Sequence, residues 1–409
     1  MAPDAAAPAL AGLRRQLVIG ALGVVQILAW GSSYYLPAVL AGPVAADTGW
    51  PLSWVVGSLS AGLLVAGLIS PHVGRLIGQH GGRPVLAASA LLIALGLVLL
   101  GLAPVLPVFV AGWLVIGAGM GAGLYDAAFA TLGRQFGRAA RPAITTLTLW
   151  GGFASTVCWP LSAWLVAHVG WRGTCLAYAA IQVAVSLPII LLLIPRPPAP
   201  IRAGKAGSMS VTLSSLEQRR LLLFAGVQTL GGVITSIVAV HLLGLLQAKG
   251  LALAAAVSLG ALMGPSQVGA RVIEMAGGGR HHPLWTLTAA VVLTAVGLAL
   301  LWSGAPILAA AIVLYGAGNG VASIAKGTVP LALFGPDRYA PLVGRIARPS
   351  LLAQALAPSL GAFLLTRYGA DTTLSALLGL ALLNAILVLL LWRERTRPAT
   401  RRRPGLPGS

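Results

Sequence analysis

The feature that most limits what this chain can become is the recurrence of apolar runs of roughly 20 residues, the length a helix needs to cross about 30 Å of hydrocarbon. Twelve such runs are legible, at 17–40, 51–75, 84–103, 105–132, 143–168, 172–194, 219–247, 250–275, 283–303, 305–333, 341–367 and 372–392. None shows the period-two alternation of a barrel strand, and backbone in lipid must be satisfied within its own segment or in a closed barrel. The expected fold class is all-α, integral to a membrane. Only 9% of the 409 residues are charged, against roughly a quarter in soluble domains. An ordinary soluble enzyme is excluded.

A net charge of +19 could suggest a nucleic-acid partner, but the placement of the charge argues for topology instead. With the N-terminus inside, 23 of the 27 basic residues fall on one side; only Arg172, Lys249 and Arg367 fall on the other, and Lys326 lies inside a span. An excess of Lys and Arg marks the cytoplasmic face. Both termini are therefore expected in the cytoplasm, with the chain multi-pass in the cell (inner) membrane. Arg14 and Arg15 ahead of an apolar run could suggest a twin-arginine signal, but the run is too long and eleven more follow, so they read as a topology anchor. Cys158 and Cys175 lie in predicted helices without a CxxC, implying neither disulfide framework nor metal site. No cofactor is implied.

The longest polar break, residues 195–218, divides six spans from six. Expected domains are a first half at 1–194, this cytoplasmic linker, a second half at 219–392 and a basic tail at 393–409. "IGAGMGAGLYDAAFATL" from Ile116 aligns with "YGAGNGVASIAKGTVPL" from Tyr315 at a shift of 199, and "HVGWRGT" from His168 aligns with "RYGADTT" from Arg367 at the same shift. Gln26 and Gln228 pair near that offset. Internal repeats of this kind mark transporters whose sites lie where the repeats meet, near the membrane middle.

On these grounds the chain resembles the major facilitator superfamily over essentially its whole length, and is loosely similar to monocarboxylate-type members. The superfamily's loop motif G-x-x-x-D-R-x-G-x-R/K is matched by "GRLIGQHGGR" at Gly74, Gly81 and Arg83, while Gly78 and Gln79 replace its acidic and basic pair. "GARVIEMAGGGR" gives a looser second copy through Gly269, Arg271, Glu274 and Arg280. The resemblance implies gating loops at both places. Trp113 stands where an arginine is usual in span four, and Pro160 comes too late for the antiporter motif of span five.

Asp126 alone among the acidic residues, and Lys326 alone among the lysines, lies well inside a span. An ionised group at a helix centre costs about 2.5–3.5 kcal/mol on insertion scales, so each asks for a reason. The resemblance implies that spans one, four, seven and ten line a central cavity, which would bring both charges there, Lys326 toward substrate and Asp126 toward proton coupling. Helical spacing puts Asn319 and Ser323 on the face of Lys326, Gln26, Trp30 and Ser33 on a face of span one with Tyr34 adjacent, and Gln228 with Thr235 on span seven. His241 lies off that last face. Other readings stand beside these: Lys326 snorkelling to the interface, Asp126 pairing with Arg134 or Arg138, and the glutamines serving interhelical hydrogen bonds.

No HExxH, GxSxG or P-loop occurs, and "GAGMGAG" lies inside an apolar helix rather than after a strand, so no enzyme is expected. The expected function is secondary active transport of a small polar solute, an organic anion such as a monocarboxylate, by alternating access, with proton coupling as an option. The expected partners are that substrate, a proton or counter-transported solute, and the lipid bilayer; no nucleic acid, and a monomer. An efflux transporter for drugs, cations or metalloids is the rival, and a non-transporting receptor or scaffold a second alternative.

Overall fold

The computed structural model describes residues 6–196, 213–277, 280–304 and 307–396. The expected linker and tail therefore lie largely outside the described residues. Among the described residues all regular elements are helical. The first half holds α1 (Ala6–Gly31), α2 (Pro37–Thr48), α3 (Leu52–His80), α4 (Gly82–Gly101), α5 (Leu106–Gly123), α6 (Tyr125–Phe136), α7 (Ala140–Gly152), α8 (Ala154–Ile181) and α9 (Leu187–Leu193). The second holds α10 (Ser215–Ala248), α11 (Leu253–Gly260), α12 (Met263–Ala276), α13 (Pro283–Ser303), α14 (Leu308–Phe334) and α15 (Pro336–Thr396). Eight helical stretches among the described residues are long and apolar enough to cross a bilayer.

Three of the eight contain a break, Leu106–Phe136 at Leu124 and Ala140–Leu193 and Pro336–Glu394 at glycines. Gly170 (φ 69°, ψ 177°) and Gly369 (φ 81°, ψ 176°) reverse the chain with dihedrals that a Cβ would oppose. These two glycines stand at the sequence-repeat offset, so the duplication is visible in the turns as well as in the helices. α10 begins at a capping box, in which Glu217 N–H donates to the Ser214 hydroxyl and the Glu217 carboxylate accepts from the Ser214 backbone N–H. Arg338 adds an ion pair to the same carboxylate at 2.6 Å.

The two halves share a core at one end only, the end that carries the basic loops. There Ile77, Phe129, Leu132 and Ile144 pack in one cluster with Leu331, Tyr339, Ala340 and Val343. α3 crosses α15 at a glycine contact. A Cβ on Gly74 would come within 2.5 Å of the Ala340 carbonyl, one on Gly344 would overlap the Ser70 carbonyl, and the Ser70 hydroxyl donates to the Gly344 carbonyl at 2.8 Å. Toward the opposite end the cores separate: one around Phe109, Trp113 and Tyr178 takes in only Ala355 and Leu351 of the second half, and one around Leu246, Leu301 and Tyr315 takes in none of the first. The bundle is closed at its basic end.

At the opposite end Asp47 ties α2 to the Gly170 turn. Trp171 Nε1 donates to its carboxylate at 2.9 Å, the Arg172 guanidinium donates as well, and that guanidinium lies over the Trp171 ring. These two donors hold the Asp47 carboxyl below the usual carboxylate range. A depressed carboxyl stabilises the fold above its unfolded pKa of about 4, and that contribution disappears as pH falls through the folded value. Asp47→Asn is accordingly expected to lower the melting temperature at pH 7 but not near pH 3, in thermal scans of detergent-solubilised protein. Gly344→Ala should cost about 1–3 kcal/mol by overpacking the α3–α15 crossing, whereas Gly269→Ala, whose Cβ would meet nothing within 4 Å, should leave the same scans unchanged.

Candidate transport site

Asp126 acquires its setting from a helix break, whereas Lys326 lies within the unbroken α14. Leu124, in an extended conformation (φ −74°, ψ −168°), ends α5 and starts α6. Asp126 thereby falls in the first turn of α6 rather than in a helix interior, where exposed N–H groups and the helix dipole favour a carboxylate. Lys326 Nζ reaches across from α14 and donates to Asp126 Oδ2 at 2.9 Å. Their side chains are 25% and 16% exposed, so the pair is largely but not wholly removed from solvent. It joins the first half of the chain to the second.

The pair lines a cavity whose other polar and aromatic walls are Trp30, Tyr34, Tyr125 and Gln354, closed by Leu63, Ala66, Met120 and Leu351. The space is about 60 Å³, room for a few waters at roughly 10–15 Å³ each. Trp30 is the hub of the aromatic wall, with ring centroids 5.3 Å from Tyr34 and 5.1 Å from Tyr125. Tyr125 in turn stacks on Phe129. Such contacts fix the rings relative to one another.

Gln26 holds this wall in place. It is fully buried, donates from Nε2 to the Gly123 carbonyl at 2.6 Å, and accepts from Trp30 Nε1 at 3.2 Å. The Gly123 carbonyl sits at the α5 break, so the glutamine supplies a donor where the helix has stopped. The remaining expected residues sit away from the cavity wall. Ser33 returns its hydroxyl to the Ala29 carbonyl at 2.5 Å, and Ser323 donates to the Gly320 carbonyl at 2.7 Å. Thr235 donates to Asn319 Oδ1 at 3.1 Å, a contact between α10 and α14, and the Gln228 carbonyl accepts from Ser350. His241 bonds the Pro358 carbonyl. Tyr125, Leu351 and Gln354 are wall residues that the sequence reading missed; Tyr125 was signalled only by its place beside Asp126.

Of the expected gating residues, Gly74 makes the α3–α15 crossing and Gly81 (φ 83°) makes the α3–α4 turn. The Arg83 guanidinium donates to the Leu191 carbonyl. Glu274 accepts from Thr286 at 2.6 Å and pairs with His281 at 3.3 Å. A Cβ on Gly269 would meet nothing within 4 Å. Arg271, counted among the basic loops from the sequence, lies instead inside α12 and is 5% exposed. There the Gly320 and Thr148 carbonyls accept from its guanidinium.

The Major Facilitator Superfamily family model matches residues 22–280, more than half of the chain. The chain belongs to this superfamily. Among solved structures it is similar to the human organic anion transporter MFSD10 (TETRAN), with a TM-score of 0.69 at 17% identity over 91% of this chain and 99% of that one. It is likewise similar to the transporter FucP in its outward conformation, with a TM-score of 0.70 at 12% identity over 93% and 99%. A variant of the E. coli fucose:proton symporter FucP scores 0.70 at 16% identity over 93% and 98%. Among curated proteins no sequence matches. At these identities the structural likeness establishes the fold alone.

Within this superfamily fold the cavity of the present chain is bounded by residues of α3 and α15 as well as of α1, α5, α6 and α14, while α10 contributes none of the wall. The Asp126–Lys326 pair is its one cross-half ion pair among the described residues that line it. Lys326→Met should strand a part-buried carboxylate and lower the melting temperature. Adding Asp126→Asn should restore most of the loss, giving a coupling of about 1–3 kcal/mol in a double-mutant cycle of thermal or denaturant unfolding.

Proposed function

We propose that this chain is a secondary transporter of a small organic anion, driven by protons through Asp126 and working by alternating access of its two halves, 1–194 and 219–392. It resides in the cell membrane with both termini in the cytoplasm, on the side of the basic loops. The observation that carries the reading is the 2.9 Å contact between Asp126 of the first half and Lys326 of the second on one cavity wall. A proton arriving at Asp126 cancels its charge and releases the Lys326 ammonium. An anion arriving at Lys326 releases the carboxylate to take up a proton. Each ligand thus favours the other, and either one loosens the bond that ties the halves together. Neither ligand alone leaves the cavity electrically as balanced as both do together.

The superfamily's transport function and the naming of one similar structure as an organic anion transporter and of another as a proton symporter support this reading. In proteoliposomes Lys326→Ala is expected to abolish uptake of the anionic substrate, and retained transport would sink the proposal. Asp126→Asn should keep exchange of substrate for substrate while losing accumulation driven by a pH gradient. Uptake with unaltered pH dependence in that variant would remove proton coupling. A transporter of cations would reverse the pattern, losing substrate with Asp126→Asn and keeping it with Lys326→Ala.

A further inference from the structure

One corner of the basic end lies away from the transport cavity and shares none of its wall residues. There the start of α10, the start of α13 and the end of α15 converge. The Arg220 guanidinium donates from Nη2 to the Glu394 carbonyl at 2.6 Å, and Arg219 Nη1 stands 3.4 Å from Glu394 Oε1. Glu217, one turn before Arg220, is engaged by Arg338. Glu394 is thus the carboxylate at hand for the arginine pair, and its side chain is 8% exposed against 66% for Arg219. Arg220 bonds only to a neutral carbonyl among the described residues, and its Nε is buried without an acceptor.

Helix geometry sets Arg393 about 100° from both Trp392 and Glu394 on α15. Glu394 faces α10, while Trp392 faces α13, where its Nε1 donates to Thr288 Oγ1 at 2.9 Å and its ring meets that of Trp285 at 4.9 Å. Arg393 is exposed between them, with Arg219 to one side and Trp285 to the other. Exposed apolar residues lead from each toward the middle of the bundle: Leu222 one turn from Arg219, Leu389 and Ile386 one and two turns from Arg393, and Val292 two turns from Trp285. Tryptophan at the interface, arginine just outside it and apolar stripes beneath match a lipid headgroup and its acyl chains. The repeat supplies a contrast. At the 199-residue shift Trp285, Trp392, Arg393 and Glu394 correspond to Leu86, Leu193, Ile194 and Pro195, so the duplicated fold does not require this grouping.

We propose that this corner binds the phosphodiester headgroup of an anionic phospholipid from the leaflet that meets the basic end, with Arg219 and Arg393 on the phosphate and Trp285 beside the glycerol. Two exposed guanidinium groups give forked, charge-assisted hydrogen bonds to phosphate oxygens. The excess of guanidinium groups over carboxylates favours a lipid of net negative charge, because the amine of a zwitterionic headgroup is repelled. A bound phosphate also offers Arg220 the charged acceptor that the Glu394 carbonyl is not. The lipid joins α10, where the chain enters its second half, to the last helix of that half.

The test is native mass spectrometry of the purified full chain in neutral detergent, titrated with dioleoyl phosphatidylglycerol or dioleoyl phosphatidylcholine. Phosphatidylglycerol should survive detergent removal, and phosphatidylcholine should be retained at least about 10-fold less. Arg219→Gln combined with Arg393→Gln should weaken phosphatidylglycerol about 30-fold, the factor for two interfacial cations. Arg219→Lys combined with Arg393→Lys should keep most of the affinity, since the charges remain. Arg14→Gln combined with Arg196→Gln, at exposed arginines of the first half, should leave it unchanged. If the first glutamine pair fails to fold, Arg393→Gln alone, with an expected loss of about 5-fold, decides together with the lipid series. Equal retention of the two lipids, unchanged affinity in the Arg219 and Arg393 variants, or an equal loss from the first-half pair overturns the proposal, the last by reducing it to general attraction of basic loops. Displacement of phosphatidylglycerol by equimolar inorganic phosphate or glycerophosphate also overturns it, by making a soluble phosphate the occupant.

Discussion

Hydrocarbon offers no hydrogen bonds, so each interrupted helix and each charge within this bundle has to be answered by another part of the protein. The α5–α6 break at Leu124 illustrates the constraint. It leaves the Gly123 carbonyl without its helical donor, and the fully buried Gln26 amide fills the place. The same break turns Asp126 into a helix N-terminal residue, which lowers the cost of its charge before Lys326 lowers it further. A structural repair and the candidate transport site therefore share one feature of the backbone.

The same requirement explains the difference between the two cations. Lys326 is answered by a carboxylate from the other half, whereas Arg271 is answered by carbonyl and amide oxygens alone. Its five donors and diffuse charge make a guanidinium tolerable among neutral acceptors, where a lysine ammonium would be less well served. Both contacts cross from one half of the chain to the other. On the proposed function, bonds that hold the halves and bonds that a charged solute would compete for are the same bonds, which is the physical condition for ligand binding to bias a conformational equilibrium.

Close backbone approach at the basic end sets the rest of the architecture. Without a hydrophobic force between helices in lipid, packing at small residues holds them together, and Gly74 and Gly344 let α3 and α15 meet at backbone distance. Toward the opposite end the two halves keep separate cores, with Ala355 and Leu351 as the points of overlap. Closure at one end and separation at the other follow from where the glycines stand.

Length and apolarity of the runs, together with the 199-residue repeat, were enough to set the helical class, the membrane setting and the two-half plan, because each is a property of local composition and periodicity. The isolation of Asp126 and Lys326 in apolar surroundings was also legible, since a charge there is conspicuous in one dimension. Their pairing was not, nor was the division of the polar stripe into wall residues such as Trp30 and Tyr34 and satisfied ones such as Ser33, Asn319 and Thr235, because helical phase says which face a residue shares and not what that face meets. Arg271 was read as a loop charge for the same reason: one basic residue near a span end looks like any other. Only the tertiary structure, by bringing Thr148 and Gly320 to its donors, made it part of the interior.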